Sequence, residues 1–270
     1  MAGGIARHPS ACIGPPLQAG FFVGAPILHT MTTLLVNRFV FLSLLLTAAS
    51  PPGLANDRPF EVARTAVSED DDQVWSFEVW AHRIGRVRSV TIEPDYSFDP
   101  ANSVQVELTR KLDRFGHETG HEAEVEYKHV FNRLARDGWG WAWSAALGAE
   151  RSSGSTTTHN ATVRLPVSVD LGRWTGSTTV APLLHLNIGL HKATEARRVV
   201  SNAVALEQTL FKRSLLFAEW AREGDQRVAQ LGLRHWLQKE KLALDIAWQQ
   251  RWSPGERAVG WVAGIGWYDL

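Results

Sequence analysis

Between Lys241 and Trp252 apolar and polar residues alternate with a period of two: Leu242, Leu244, Ile246, Trp248 and Trp252 share one parity, and Lys241, Ala243, Asp245, Ala247, Gln249 and Arg251 the other. That period belongs to a strand whose two faces meet different surroundings. Similar segments, each roughly ten residues long as a membrane-crossing strand requires, recur from about residue 74 to the last residue. Gly, Pro, Asp, Asn and Ser separate them, and no helical stripe lies between. The spacing predicts strands near 74–82, 87–98, 104–112, 122–131, 139–150, 160–171, 179–190, 199–210, 213–222, 227–237, 241–252 and 258–268. The expected fold is all-β, an up-and-down antiparallel transmembrane β-barrel of about twelve strands, with ten as the alternative.

No apolar stretch after residue 55 has the length of a membrane-spanning helix. In lipid a chain of this kind can satisfy its backbone only as a closed sheet; a soluble sandwich with its polar parity in water is the competing architecture. On one parity the strands carry a lipid-facing set: Val104, Val106, Leu108; Ala161, Val163, Leu165, Val167, Val169; Val180, Leu184, Leu186, Ile188, Leu190; Leu231, Leu233; Leu242, Leu244, Ile246; Trp261, Ile265 and Trp267. The other parity supplies a lumen lining of both signs: Glu93, Asp95, Glu107, Lys111, Glu124, Glu126, Lys128, Arg164, His185, Asn187, Arg234, Asp245 and Arg251, with Gln105, Glu122 and Glu207 among them. The segment 213–222 fits worst, because Leu215 and Phe217 share a parity with Glu219. Twelve tryptophans against three tyrosines, with Trp139, Trp141, Trp220, Trp236, Trp252 and Trp267 toward strand ends, match the aromatic girdles of membrane barrels.

An even strand count puts both termini on the periplasmic side. The connections at Asp99 to Ser103, Lys212 and Lys239-Glu240 are then tight turns on that side, and 113–121, 151–159 and 191–198 are the longer connections facing outward. None has the length of a lid or plug. The chain ends Gly266-Trp267-Tyr268-Asp269-Leu270, with Tyr268 and Leu270 in the alternate apolar places that the barrel-insertion machinery reads, in place of a final aromatic.

The first 55 residues contain no Asp or Glu; from Met31 the order is Arg38, an apolar run Phe39 to Ala49, then Ser50-Pro51-Pro52-Gly53-Leu54-Ala55. This pattern predicts a secretory signal peptide over 31–55, cut before Asn56, with 1–30 as an extension upstream of the true start. Residues 56–73, with the acidic run Glu69 to Asp72, are expected to be a flexible lead-in to a barrel over 74–270. The one cysteine, Cys12, precedes the cut, so the mature chain has no thiol chemistry. With 28 basic and 28 acidic residues, the balance shows no footprint for nucleic acid.

The stretch Ile92-Glu93-Pro94-Asp95-Tyr96-Ser97-Phe98, followed by Val104-Gln105-Val106-Glu107-Leu108 and Glu122-Ala123-Glu124-Val125-Glu126-Tyr127-Lys128, resembles the bacterial outer-membrane barrels assigned as transporters of the phenol-degradation (MetA-pathway) type. There an extended E-P-x-x-x-Y strand precedes an alternating acidic strand and an x-x-K-Y strand; here the third element reads Tyr127-Lys128, the order inverted. The resemblance covers residues 90 to 150, and implies a barrel in the outer membrane and a transport role, with no catalytic residues to carry over.

Three constellations could carry chemistry. His117-Glu118-Thr119-Gly120-His121 satisfies H-E-x-x-H, which binds zinc when a helix sets both His on one face. Gly116 and Gly120 weaken a helix, and residue 127, where a metzincin's third ligand would fall, is Tyr, so a hairpin loop is expected. His185 with Asn187, plus Ser144 or Ser201, could serve a lipid-modifying barrel hydrolase. The inward carboxylates could attract cations or pair with the inward Lys and Arg. The expected function is passive permeation or uptake of a small solute through a charge-lined lumen in the bacterial outer membrane, without metal or cofactor; a barrel hydrolase or a closed structural barrel is the alternative. The partners are the bilayer, the insertion machinery and a small solute. Mass spectrometry of protein recovered from the outer-membrane fraction should find Asn56 as the first residue, and recovery from the cytoplasm would refute this.

Overall fold

A computed structural model of the chain describes residues 60–67, 73–175, 182–194, 196–268 and 270. The expected upstream extension, the signal peptide, the acidic run and Val180 lie outside the described residues. Twelve antiparallel strands close on themselves: β1 (Val74–Ile84), β2 (Val87–Asp99), β3 (Asn102–Leu112), β4 (Glu118–Val130), β5 (Trp139–Ser152), β6 (Thr158–Asp170), β7 (Leu183–Ala193), β8 (Val199–Phe211), β9 (Ser214–Glu223), β10 (Gln226–Gln238), β11 (Leu242–Ser253) and β12 (Glu256–Trp267). Each strand pairs with its neighbours in sequence, and β1 returns to β12 over Phe77↔Trp267 to Ile84↔Gly260. That seam leaves no open edge, which lipid would not tolerate.

The two parities divide as alternation requires. Leu165, Leu186, Ile188, Leu190, Leu231, Leu244 and Ile246 stand exposed on the outside, while Ala142, Ala146, Ser144, Ser168, His185, Arg234 and Gln249 are buried within. Two-residue turns join several pairs; the φ of +57° at Gly224 and +78° at Gly255 is what tight hairpin turns need and what only glycine adopts without strain.

Three expectations are corrected. The longest connections, 131–138 and 171–182, lie at the end where β1 begins and β12 finishes, the termini end of the strands, and each carries a one-turn helix, Leu134–Asp137 and Leu171–Thr175. The far-side loops shrink to 113–117, 153–157 and 194–198, because residues such as Glu118 to His121 continue a strand. Second, Trp236 belongs to no outer girdle: it turns inward against the Tyr268 ring, with centroids 5.3 Å apart. Tyr268 itself faces the lumen, because its hydroxyl donates to the Glu78 carboxylate and its ring flanks the Arg234 guanidinium. Third, residues 60–67 are no lead-in outside the barrel but run within it, held by the contacts described below.

Orientation of the faces gives a direct test. Ile246→Arg places a charge on the apolar belt and should lower stability in lipid vesicles by roughly 2–4 kcal/mol if near the midplane. Gln105→Arg, on the inward face beside an open cavity, should cost little; equal losses in urea titrations of folded barrels would refute the assignment.

Candidate functional site

The interior is organised by the strap Phe60–Val67. A peptide inside a barrel carries backbone donors and acceptors that need partners, and inward side chains provide them. The Glu219 carboxylate accepts from the backbone N–H of Glu61, Val62 and Ala63 at 2.8, 2.9 and 2.7 Å. Asn187 pairs with Arg64 as a strand would: Arg64 N–H donates to Asn187 Oδ1 and Asn187 Nδ2 donates to the Arg64 carbonyl, both at 2.8 Å. Ala66 N–H donates to Ser168 Oγ at 2.9 Å.

Side chains of the strap add apolar and ionic contacts. Phe60 packs edge-on to Phe217, centroids 6.0 Å apart, in a buried cluster with Leu215, Trp80, Ala203, Ala205, Ala221, Ala247 and Val262. That pocket accounts for the misfit of 213–222: Leu215 and Phe217 share a parity with Glu219 because all three receive the strap. Glu61 accepts from Arg251 and, at 3.0 Å, from Gln249. Arg64 Nε lies 3.1 Å from Glu126 Oε2, which also takes Arg164 Nη1 at 2.8 Å. Val67 ends the strap against Leu134 and Leu183 at the termini end.

Space for a peptide comes from small residues on one inward face of β5: Gly140, Ala142, Ser144 and Ala146. A Cβ on Gly140 would collide with the Ala66 carbonyl oxygen. The strap therefore fills the side of the lumen walled by β5–β11, and a cavity of about 210 Å³ remains between it and β1–β4. Its lining extends from Ser103 and Lys128, near the termini end of their strands, to Ser89 and Lys111, near the opposite end. Seven carboxylates line it, from Glu61, Glu78, Glu93, Asp95, Glu107, Glu122 and Glu126, against four cations, Arg64, Lys111, Lys128 and Arg251.

The inward residues read from the sequence fall into three groups. Glu93, Asp95, Glu107, Lys111, Glu126, Lys128 and Arg251 line the cavity, and Glu124 shares that face as the cross-strand partner of Glu107. His185 and Asn187 belong to the strap's seat, and Arg164 reaches Glu126 beside the strap's Arg64. Arg234 and Asp245 form a separate cluster at the seam: Arg234 is fully buried, its Nε and Nη2 each 2.8 Å from an Asp245 oxygen, with Glu78 at 3.5 Å. Sequence reasoning missed Phe60, Glu61, Arg64, Ser168 and Glu219.

Neither serine proposed beside His185 is the hydroxyl found there. Ser168 Oγ lies 2.8 Å from His185 Nδ1, and Glu207 Oε1 lies 3.4 Å from Nε2. Serine, histidine and carboxylate thus follow the order a hydrolase uses. With the strap seated, however, Ser168 and His185 are fully buried, the Phe60 ring sits 5.7 Å from the imidazole, and the Ala66 amide occupies the hydroxyl. The group holds the strap and leaves no approach for an ester.

The H-E-x-x-H residues lie at the far end of the barrel, on the loop and the first residues of β4. In an extended chain residues four apart are separated by roughly 13 Å, so the two rings do not converge. His117 Nδ1 sits 3.3 Å from Asp113 Oδ2 and His121 Nδ1 3.7 Å from Glu118 Oε1. Partial desolvation raises the Asp113 carboxyl, but the amides of His117 and Phe115 and the His117 ring outweigh it and hold it below the ordinary carboxylate range.

No family model matches the chain, and no curated protein matches it. Among solved structures the chain is similar in fold to the KdgM porin, at 11% identity and a TM-score of 0.53, with 71% of this chain and 98% of that chain covered. The same porin in complex with disordered oligogalacturonate gives the same values.

Phe60→Ala or Gly140→Val should loosen the strap and leave the barrel intact. Hydrogen exchange at the amides of Glu61, Val62 and Ala63 should accelerate at least tenfold, which corresponds to about 1.4 kcal/mol, with the strand amides unchanged; exchange as slow as in the parent would refute the docking described.

Proposed function

We propose that the chain is a bacterial outer-membrane barrel that lets small solutes pass passively along the β1–β4 side of its lumen and favours cations over anions. The observation that carries this is the acid-rich cavity whose lining runs almost from one strand end to the other. The register adds to it. Glu107 opposes Glu124 across β3 and β4. Like charges directly opposed on one face repel, so the path gains from a mobile cation, and carboxylate rings in a confined path select for cations. Glu126 is engaged by Arg64 and Arg164, and Glu93 and Glu107, which line the same cavity, are read as the selecting pair.

The stretch that resembles MetA-pathway transporters, residues 90 to 150, includes β3, β4 and most of β2, three of the four strands of this wall, and a barrel with the fold of a porin suits passive passage. The KdgM porin was solved with an oligogalacturonate, a polyanion; seven carboxylates against four cations make a polyanion a poor occupant here. Folding of such a barrel into its membrane calls on the insertion machinery that serves β-barrels in general.

Purified full-length protein in a planar bilayer should show small conductance steps with a reversal potential on the cation side. Glu93→Gln with Glu107→Gln should move that potential toward anions, and deletion of residues 60–67 should raise the conductance several-fold. Protein that inserts fully yet conducts nothing, before and after strap deletion, and takes up no solute in liposomes would overturn the reading in favour of a closed structural barrel.

A further inference from the structure

The outer surface differs between the two ends of the barrel. At the end remote from the termini five consecutive strands each turn a basic residue outward: Arg83 on β1, Arg88 on β2, Arg110 on β3, His121 on β4 and Arg151 on β5. The register makes them neighbours. Arg83 is the cross-strand partner of Arg88, Arg110 of His121, and His121 of Arg151.

Guanidinium groups directly opposed on one face of a sheet repel each other. Among the described residues the carboxylate that reaches this belt is Glu118, 2.7 Å from Arg110 Nε and 3.7 Å from His121 Nδ1. Arg83, Arg88 and Arg151 have no carboxylate within ion-pair distance among the described residues. The belt therefore carries an excess of positive charge that the described residues do not neutralise.

Its position says what kind of anion fits. Exposed apolar side chains adjoin it on the same face: Trp261 is the partner of Arg83 and Val90 of Arg110, with Leu108 and Leu147 beyond. On the same five strands the termini end carries exposed aromatic rings instead, Trp75, Phe98, Trp139 and Trp141. An anion at the rim of an apolar band is the headgroup of a lipid, and a planar guanidinium fork matches phosphate oxygens in particular.

We propose that Arg83, Arg88, Arg110, His121 and Arg151 form a docking belt for phosphate-bearing lipid headgroups in the leaflet around the far end of the barrel. On β1 to β5 the belt tells one leaflet from the other, because aromatic rings stand at the opposite ends of these strands. The inference rests on the membrane placement given above and is independent of whether the lumen conducts.

The full chain is inserted into vesicles of phosphatidylcholine containing a minor fraction of phosphatidic acid, extracted in mild detergent, and its retained lipids are counted by native mass spectrometry. The parent protein should retain phosphatidic acid several-fold above its share of the mixture. The triple variant Arg83→Ser, Arg88→Ser, Arg151→Ser should lose that enrichment, the corresponding triple Arg→Lys variant should keep most of it, and inorganic phosphate should not displace the lipid. Enrichment unchanged in the Ser variant, absent from the parent, or abolished by inorganic phosphate would overturn the proposal. If the Ser variant does not insert, the parent's enrichment and the phosphate competition decide on their own. Failure of the parent to enter vesicles at all would sink the membrane reading, and this proposal with it.

Discussion

Closure of the sheet is the constraint from which the rest of the structure follows. Once β12 pairs with β1, every ladder has two neighbours, and one parity of every strand becomes an enclosed interior. Charged groups there must find one another. Arg234 is the clearest case: it forms a two-point contact with Asp245, reaches Glu78, and is flanked by the rings of Trp236 and Tyr268. Removing one partner of such a buried pair is costly because it strands the other charge. The cluster ties β10 and β11 to β1 and to the residue just past β12, across the seam that closes the barrel.

The remainder of the interior is divided rather than uniformly filled. On the β5–β11 side a peptide serves as the filling, with its amides received by Glu219, Asn187 and Ser168 and its phenyl ring by an apolar patch. On the β1–β4 side the carboxylates keep open space in front of them. Arg64 lies on the border, part of the filling by its backbone and part of the acidic wall by its side chain.

The twelve strands and the division into two faces were legible in the sequence because a period of two survives in nearly every segment. The strap was not, since residues 60 to 67 have no periodicity of their own and the partners of their backbone amides lie more than a hundred residues away. Its traces were nevertheless present in the seat. Phe217 and Leu215 on the parity of Glu219, and the run of Gly140, Ala142, Ser144 and Ala146 on one face of β5, break the rule of a charged lumen. Both mark where something apolar and something bulky must be accommodated. His185 could be read as an inward polar residue, but its neighbour could not be named, because the pairing of Ser168 with His185 depends on the register between β6 and β7.

The separation of the strap from its seat dictates the order in which the molecule can be completed. Glu61 meets Glu219 across 158 residues and Arg251 across 190, whereas each hairpin joins strands adjacent in sequence. Contacts so distant gain nothing until the intervening chain has been placed, because the entropy of closing that loop must be met first. Hairpins therefore precede the strap, and so does their assembly into its seat, whereas the seam, Phe77 to Trp267, spans as much chain as the strap's own contacts. Until the strap is seated the nascent lumen is wider and wetter than in the finished protein.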